Sequence, residues 1–197
     1  MLQLNRKAEL AAITFKILIT ISCLSLVNIV WEVLDMKYSM DGYNFLLNVS
    51  NAVVVVVYLL AGVFFMIWFY TAYKRSYSES PKTMRYPPVW TVLGFSVPVA
   101  NLFVPYVLVA NLWRRLSLAD EVNQTERSSP SYFKIWWLSH LSVFLGIPAI
   151  YIAALANMTG EELEITQFVL SGLGYLLICN TARYAIRLVR DIQTLQQ

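Results

Sequence analysis

Hydrophobic residues fall into long runs along the chain, separated by short polar segments. Four of these runs, at residues 11–34, 45–73, 133–157 and 165–183, are long enough to cross a membrane as helices, which takes about 20 mostly apolar residues. The second run contains consecutive valines, Val53 to Val57, which suit a strand in water, but the length of the run favours a helix in lipid. The pattern therefore predicts an all-α integral membrane bundle of four transmembrane helices.

A further apolar run, at residues 88–113, has Pro98, Asn101 and Pro105 at its middle. Proline inside a helix removes a backbone hydrogen bond and clashes with the carbonyl four residues earlier, at a cost of about 3 kcal/mol. Two such breaks favour a turn between two arms, each about 14 Å long as helix, which is about half of a typical hydrocarbon core. We therefore expect a proline-broken re-entrant helical hairpin that enters and leaves the membrane on one side.

Basic residues are concentrated at alternate connections, whereas the loop after the third span carries Glu161, Glu162 and Glu164 and no basic residue. Positively charged loops usually face the cytoplasm. If residues 88–113 crossed the membrane completely, three loops would break this rule together. A re-entrant hairpin satisfies the rule and predicts that the N- and C-termini are both cytoplasmic. The basic residues are Arg6, Lys7, Lys74, Arg75, Lys82, Arg85, Arg114, Arg115, Arg127, Lys134, Arg183, Arg187 and Arg190.

Composition supports the membrane assignment, because 58% of the residues are hydrophobic and only 14% are charged. The lipid bilayer is thus an expected partner, while the net charge of +3 gives no support for nucleic-acid binding. Residues 184–197 form a basic amphipathic tail that we expect to lie along the anionic inner leaflet. Cys23 and Cys179 lie far apart in apolar runs without metal-ligand spacing, so we expect two buried thiols and no cofactor.

Two ionisable residues inside the apolar runs are candidates for function. Lys16 lies well within the first span, where a charge is either functional or reaches back to the headgroups along its flexible stem. His140 is the single histidine, about two turns into the third span. It either shares a cytoplasm-facing cavity with Lys16, Asn101 and Asn180, or packs between helices through hydrogen bonds.

Aromatic residues cluster at the ends of the runs, among them Trp68, Tyr70, Trp90 and Trp113, with Arg85 nearby. Such residues are typical of membrane interfaces, and they would equally frame a pocket at the hairpin. No nucleophile–base arrangement, phosphate-binding loop or zinc motif is present in the sequence. We therefore expect no catalytic residue, no metal site and no enzymatic activity.

Two stretches carry a family resemblance: FMIWFYTAY from Phe65, and RYPPVWTVLGFSVPVANLFVPY from Arg85. They resemble the bacterial membrane family named domain of unknown function 4328, in which W-x-Y-R-A ends one helix and P-G-W-A-V-G and P-x-x-N-L-x-x-P follow. The most specific element here is Pro98-x-x-Asn101-Leu-x-x-Pro105, followed by Trp113. The chain departs from the family at Thr71, where arginine is usual, and at Pro88-Val89, which replace the glycine before tryptophan. The resemblance implies a multi-span protein of a bacterial inner membrane.

Two functions follow as hypotheses. The first is a non-enzymatic binding or accessory protein, with a cytoplasm-facing pocket at the hairpin that holds a peptide, lipid headgroup or small ligand, or docks a membrane protein. Asn101 would supply hydrogen bonds there, while Pro98 and Pro105 would expose backbone groups. The alternative is a channel or transporter for a small solute, assembled as a homo-oligomer and lined by Lys16 and His140, because broken helices present backbone dipoles to solutes.

Overall fold

The computed structural model describes residues 2–34, 40–79, 84–119 and 130–196, and within these ranges it is helical without any strand. A 3-10 turn, Ala100–Leu102, joins the third helix to the fourth, and a π-helical turn, Ser142–Gly146, joins the fifth to the sixth. The α-helices are α1 (Leu2–Leu34), α2 (Met40–Glu79), α3 (Trp90–Ser96), α4 (Val104–Ala119), α5 (Tyr132–Leu141), α6 (Ile147–Asn157) and α7 (Glu161–Leu195).

Four helices of the described chain are long and apolar enough to cross a membrane. They are Gln3–Val30, Val49–Glu79, Tyr132–Asn157 and Glu161–Leu195, and each overlaps one of the four runs expected from hydropathy. The third is continuous across α5, the π turn and α6. The prediction of an all-α bundle with four transmembrane helices is thus confirmed at the level of helix length and composition.

Contacts along α1 establish the directions of its neighbours. Near its start, Lys7 contacts Thr71 close to the end of α2, with 3.0 Å between Nζ and Oγ1. Further along, Cys23 Sγ lies 3.9 Å from the Sγ of Cys179, which is near the middle of α7. The end of α7 then returns to the end of α2, where Gln196 Nε2 donates to the carbonyl of Ala72 at 3.1 Å. Thus α2 and α7 run parallel, and α1 is antiparallel to both.

The third span runs in the same direction as α1. Ser139 of α5 accepts a 2.7 Å hydrogen bond from Asn180 Nδ2, and Tyr132, seven residues earlier, contacts Asp191, eleven residues later on α7. This pairing is antiparallel, so the four long helices alternate in direction. The beginning of α1 and the end of α7 consequently lie at the same end of the bundle, which we name the basic end after Lys74, Arg75 and the arginines of α7.

The helices are longer than the hydrophobic runs predicted. At 1.5 Å per residue, the 33 residues of α1 extend about 50 Å and the 35 residues of α7 about 52 Å, beyond a hydrocarbon core of about 30 Å. The predicted tail at 184–197 also differs, because α7 continues unbroken to Leu195. Leu188, Val189 and Ile192 of this tail are buried in the protein core, so its apolar face is covered by neighbouring helices instead of lying on the leaflet.

The cysteine interpretation needs correction. Cys23 is exposed and Cys179 is half-buried, and both are free thiols. Their side chains nevertheless lie against each other across α1 and α7. The hydropathy pattern predicted an apolar environment, but in a membrane span an apolar environment can be the lipid as well as the protein interior, and composition does not distinguish the two.

The run at residues 88–113 contains α3, the 3-10 turn Ala100–Leu102 and most of α4. Pro98 lies in the turn after α3, and Pro105 is the second residue of α4. The arms pack closely at Gly94, where a Cβ atom would lie 2.6 Å from Val104 Cγ1 and 3.1 Å from Val104 Cβ. Glycine is therefore required here so that α3 can approach α4. We call residues 90–119 the hairpin.

Candidate functional site

Tyr73 of α2 holds both arms of the hairpin at the basic end. Its ring is fully buried, and its hydroxyl donates to the carbonyl of Tyr86 at 3.0 Å, just before α3. The same hydroxyl accepts a 3.1 Å hydrogen bond from Nδ2 of Asn111, in α4. One side chain thus ties the beginning of the first arm and the middle of the second arm to the same point of α2.

The turn of the hairpin contacts the third span. The indole Nε1 of Trp137 donates to the carbonyl of Leu102 at 3.1 Å, and the backbone N–H of Asn101 donates to the carbonyl of Val97 at 2.8 Å. The Asn101 side chain is only 6% exposed. Its Oδ1 atom is buried and has no hydrogen-bond partner within the described residues. The turn therefore contains two neighbouring acceptors: the Leu102 carbonyl, which is hydrogen-bonded to Trp137, and the buried Asn101 Oδ1, which has no partner among the described residues.

An aromatic layer surrounds this region, centred on Phe65 of α2. Rings from α1, α2, α3 and α5 approach Phe65 with centroid separations of 5.5–6.0 Å. Aromatic pairs at such distances add to the stability gained by burying their area. We define the aromatic layer as Phe15, Phe65, Trp68, Phe69, Phe95, Trp136 and Trp137.

His140 lies against the far side of the aromatic layer. Its ring stacks on Trp137 with centroids 5.0 Å apart and on Phe144 of the π turn at 6.2 Å. Its Nδ1 is hydrogen-bonded to the hydroxyl of Tyr58, 2.7 Å away. The histidine thus packs between helices through a hydrogen bond, which is one of the two alternatives derived from the sequence. Trp137 connects it to the hairpin turn, because the same indole binds Leu102.

Four residues predicted for the site share a physical property. Each has a buried polar side-chain atom without a hydrogen-bond partner in the part of the chain that the structure describes. A buried donor or acceptor without a partner costs about 1–3 kcal/mol, so such groups in a native fold call for an explanation. The atoms are Trp68 Nε1, Asn101 Oδ1, Trp113 Nε1 and His140 Nε2.

The remaining predicted residues are distributed over the surface and the core. Pro105 is buried, and Tyr70 is half-buried with Lys74 Nζ 5.9 Å from its ring centroid. Pro98, Arg85, Trp90 and Lys16 are exposed. The ten residues therefore do not line one cavity, and Lys16 in particular lies on the outer surface of α1, away from an interior site with His140. Asn180 is also engaged elsewhere, since it donates to Ser139.

Position 71, where the chain departs from the expected motif, has a cation beside it. The Nζ of Lys7 donates to Thr71 Oγ1 at 3.0 Å, and this hydroxyl in turn donates to the carbonyl of Ile67 at 2.8 Å. A lysine from α1 thus brings a positive charge to the place where the resembling sequences have arginine on α2. Sequence analysis did not predict this pairing, because the two residues are 64 positions apart.

Two surface clefts lie at the basic end, and neither is lined by Asn101. The smaller, of about 130 Å³, is bounded by the final turns of α2, α4 and α7, including Arg75, Ser76 and Gln196. The larger, of about 400 Å³, lies between α1 and the arginines of α7. Sequence analysis missed both, as well as Tyr58 and Tyr73, because the residues of each group are brought together only by helix packing.

The fold and the buried polar groups define a multi-pass helical membrane protein with an aromatic interior at one end. The chain belongs to the family described as domain of unknown function DUF4328, whose model matches residues 33–194. This confirms the resemblance found in the motifs at Trp68 and Asn101. No curated protein and no solved structure matches the chain.

Proposed function

We propose that this protein is a non-enzymatic membrane binding or accessory protein whose hairpin enters the membrane from the cytoplasm and returns. Its binding group is Asn101, which offers a hydrogen-bond acceptor to a donor on a ligand or partner. The observation that carries the proposal is the buried, unpartnered Asn101 Oδ1 at the hairpin turn. A ligand N–H or O–H group would satisfy this atom and recover the free energy that its burial costs.

Two features support the re-entrant path. Tyr73 contacts both arms at the basic end, so both arms begin and end on the same side of the bundle. The turn itself exposes large apolar side chains, with Val99 73% exposed and Phe103 67% exposed. Such a pair at the tip of a loop is unfavourable in water and favourable in hydrocarbon. Together with the positive-inside rule, this arrangement supports our proposal that both termini are cytoplasmic in a protein of a bacterial inner membrane.

The aromatic layer suits a binding role. Trp68 and Trp113 each present a buried indole N–H without a partner in the described chain, so the interior around the hairpin offers donors as well as the Asn101 acceptor. A ligand with both amide or hydroxyl donors and acceptors would match these groups within an apolar enclosure, as small-molecule sites usually do. Entry would require the hairpin arms to separate from α2 or α5.

The channel or transporter alternative has less support. It relied on Lys16 and His140 lining one path, but Lys16 is exposed on α1 and His140 Nδ1 is bound to Tyr58. A path lined by these two residues would require a rearrangement of both helices. We therefore favour binding over transport.

Replacement of Asn101 by leucine tests the proposal. Leucine has the same number and branching of side-chain heavy atoms and removes the unpartnered acceptor, so the fold should be retained while ligand retention is lost. Native mass spectrometry of the protein released from membranes or detergent would detect a bound species on the unmodified chain and its absence from Asn101→Leu. Asn157→Leu, at the exposed end of α6, is the matched control. Equal retention by both variants would contradict the proposed role of Asn101.

A further inference from the structure

The larger cleft is a groove with an excess of positive charge, which we name the arginine groove. It has a volume of about 400 Å³ and lies between α1 and the second half of α7. Three arginines and one aspartate contribute the charged groups of its lining, and two isoleucines contribute apolar surface. The lining residues are Ile19, Arg183, Tyr184, Ile186, Arg187, Arg190 and Asp191.

The central arginine of the groove is held in position. The guanidinium of Arg187 lies 4.5 Å from the ring centroid of Tyr132, and its Nε is 3.8 Å from Asp191 Oδ2. The hydroxyl of Tyr132 donates to the same carboxylate oxygen at 2.5 Å. Asp191 therefore has two partners already, and Arg187 can bind a further anion through the remaining N–H groups of its guanidinium.

The other two arginines follow the same helix face, four residues before Arg187 and three residues after it. All three side chains are exposed. Neither Arg183 nor Arg190 has a carboxylate within ion-pair distance among the residues that the structure describes. The groove thus offers two guanidinium groups without acidic partners beside a third in a fixed position, and the planar guanidinium fork matches phosphate oxygens.

The exposed face of α7 changes character at the groove. From the start of α7 at Glu161, this face carries exposed large apolar side chains, as the surface of a membrane span does. At Arg183 the face becomes cationic. The stretch from Ile165 to the residue before Arg183 extends about 27 Å as helix, close to the thickness of a hydrocarbon core. The stripe consists of Ile165, Val169, Leu173 and Leu176, followed by Arg183, Arg187 and Arg190.

Lys16 belongs to the same level of the molecule. Cys179 Sγ lies 4.0 Å from the carbonyl oxygen of Ile19, which aligns that turn of α1 with the turn before Arg183. Because α1 and α7 are antiparallel, Lys16 lies nearer the basic end than Ile19 does, just as Arg187 lies nearer the basic end than Arg183. The exposed Lys16 therefore lies level with the arginines and adds a fourth exposed cation to this part of the surface.

We propose that the arginine groove binds the phosphate of an anionic phospholipid, with the acyl chains lying along the apolar stripe of α7. The groove lies where the exposed apolar side chains of α7 are followed by arginines. Ile19 and Ile186 contribute apolar surface to its lining. A phospholipid satisfies both surfaces, whereas free phosphate satisfies the arginines alone. Cationic pockets at this depth attract anionic headgroups. This site is separate from the hairpin and does not depend on a ligand at Asn101.

The test measures lipid retention by variants of the groove. The full-length protein in nanodiscs of phosphatidylcholine with phosphatidylglycerol is transferred to detergent, and native mass spectrometry counts retained phosphatidylglycerol. Neutralising the groove with Arg183→Gln, Arg187→Gln and Arg190→Gln should weaken retention about fivefold per arginine and about a hundredfold in combination. The matched control neutralises three exposed cations of the same end outside the groove, Lys74→Gln, Arg114→Gln and Lys134→Gln, and should retain lipid within about twofold of the unmodified protein.

A single variant, a second lipid and free phosphate complete the test. Arg183→Gln alone changes an exposed side chain and keeps the fold testable if the triple variant aggregates; it should still reduce retention about fivefold. Equal loss in the groove and control triples would mean non-specific attraction and would overturn the site. Retention of phosphatidylcholine as strongly as phosphatidylglycerol would also overturn it. If inorganic phosphate displaced the lipid and alone raised the melting temperature as much, the ligand would be free phosphate, and the assignment to a lipid would be wrong.

Discussion

At the scale of single residues, we infer that Lys7 of α1 compensates for the absence of an arginine at position 71 of α2. Thr71 replaces the arginine expected at that position, and Lys7 approaches it from another helix. In this interpretation a positive charge lies beside position 71 although its residue comes from another helix. A motif defined along one helix cannot record such a substitution, because the compensating residue lies on the neighbouring helix.

A double-mutant cycle tests this compensation. Lys7→Ala should destabilise the protein by about 1 kcal/mol, because a part-buried hydrogen bond from a charged donor is lost. Thr71→Arg in the Lys7→Ala background should recover most of that loss, whereas Thr71→Arg beside the original Lys7 should not stabilise, because two cations then meet. Thermal unfolding in detergent measures the cycle, and additive effects of the two substitutions would contradict the compensation.

Gly94 gives a second prediction at this scale. In Gly94→Ala, the new Cβ would meet Val104 Cγ1 at 2.6 Å, so the arms must move apart, with an expected loss of about 1–3 kcal/mol. Gly62→Ala is the control, since a Cβ there has no heavy atom within 4 Å, and alanine favours the helix. We expect a lower midpoint of thermal unfolding for the first variant only. A Gly94→Ala protein as stable as the Gly62→Ala protein would show that the arms are not packed as described.

At the scale of elements, one side chain of α2 contacts both arms of the hairpin at its base. Tyr73 joins α2 to the segment before α3 and to α4, so loss of its hydroxyl releases both arms together. In Tyr73→Phe, a cysteine placed at the exposed Ser96 should react faster with maleimide as the hairpin loosens. Tyr70→Phe is the control, because it keeps the ring beside Lys74. An unchanged labelling rate in Tyr73→Phe would exclude this role of Tyr73.

Sequence analysis predicted the elements well and their contacts poorly. Residues 133–157 correspond closely to the third span, Tyr132–Asn157, because hydropathy acts locally along the chain. The partners Tyr58 and His140 could not be paired, since α2 is apolar on every side and its pattern indicates no preferred face. Sequence analysis also did not identify Tyr73 as the side chain that contacts both α4 and the segment before α3. The polar connector at residues 120–129 lies outside the described residues.

At the scale of the whole molecule, alternating helices and unequal loop charges define two different ends. The basic end carries both termini and the hairpin base, and the opposite end carries the exposed residues Glu161 and Glu162. This asymmetry is what the positive-inside rule converts into an orientation. The proposed re-entrant path and the proposed cytoplasmic position of the termini therefore depend on the same assignment of the basic end to the cytoplasm.

Cysteine labelling in intact cells tests the orientation. In a background of Cys23→Ala and Cys179→Ala, a cysteine at Glu162 should react with a membrane-impermeant maleimide, while cysteines at Ser78 and Ser131 should react only after permeabilisation. Both serines are exposed: Ser78 is in the last turn of α2 and Ser131 directly precedes α5, so they lie on either side of the hairpin. Reaction of exactly one of this pair from outside would mean that the intervening segment crosses the membrane completely.

The π turn at Ser142–Gly146 has a consequence for length variation in this family. Such a turn accommodates one residue more than an α-helix does, while the helix on each side keeps its facing. A relative shorter by one residue at this point would retain an ordinary helix with Trp137 and Ile147 oriented as they are here. A deletion elsewhere in the third span would instead rotate all the following residues by about 100° around the helix axis.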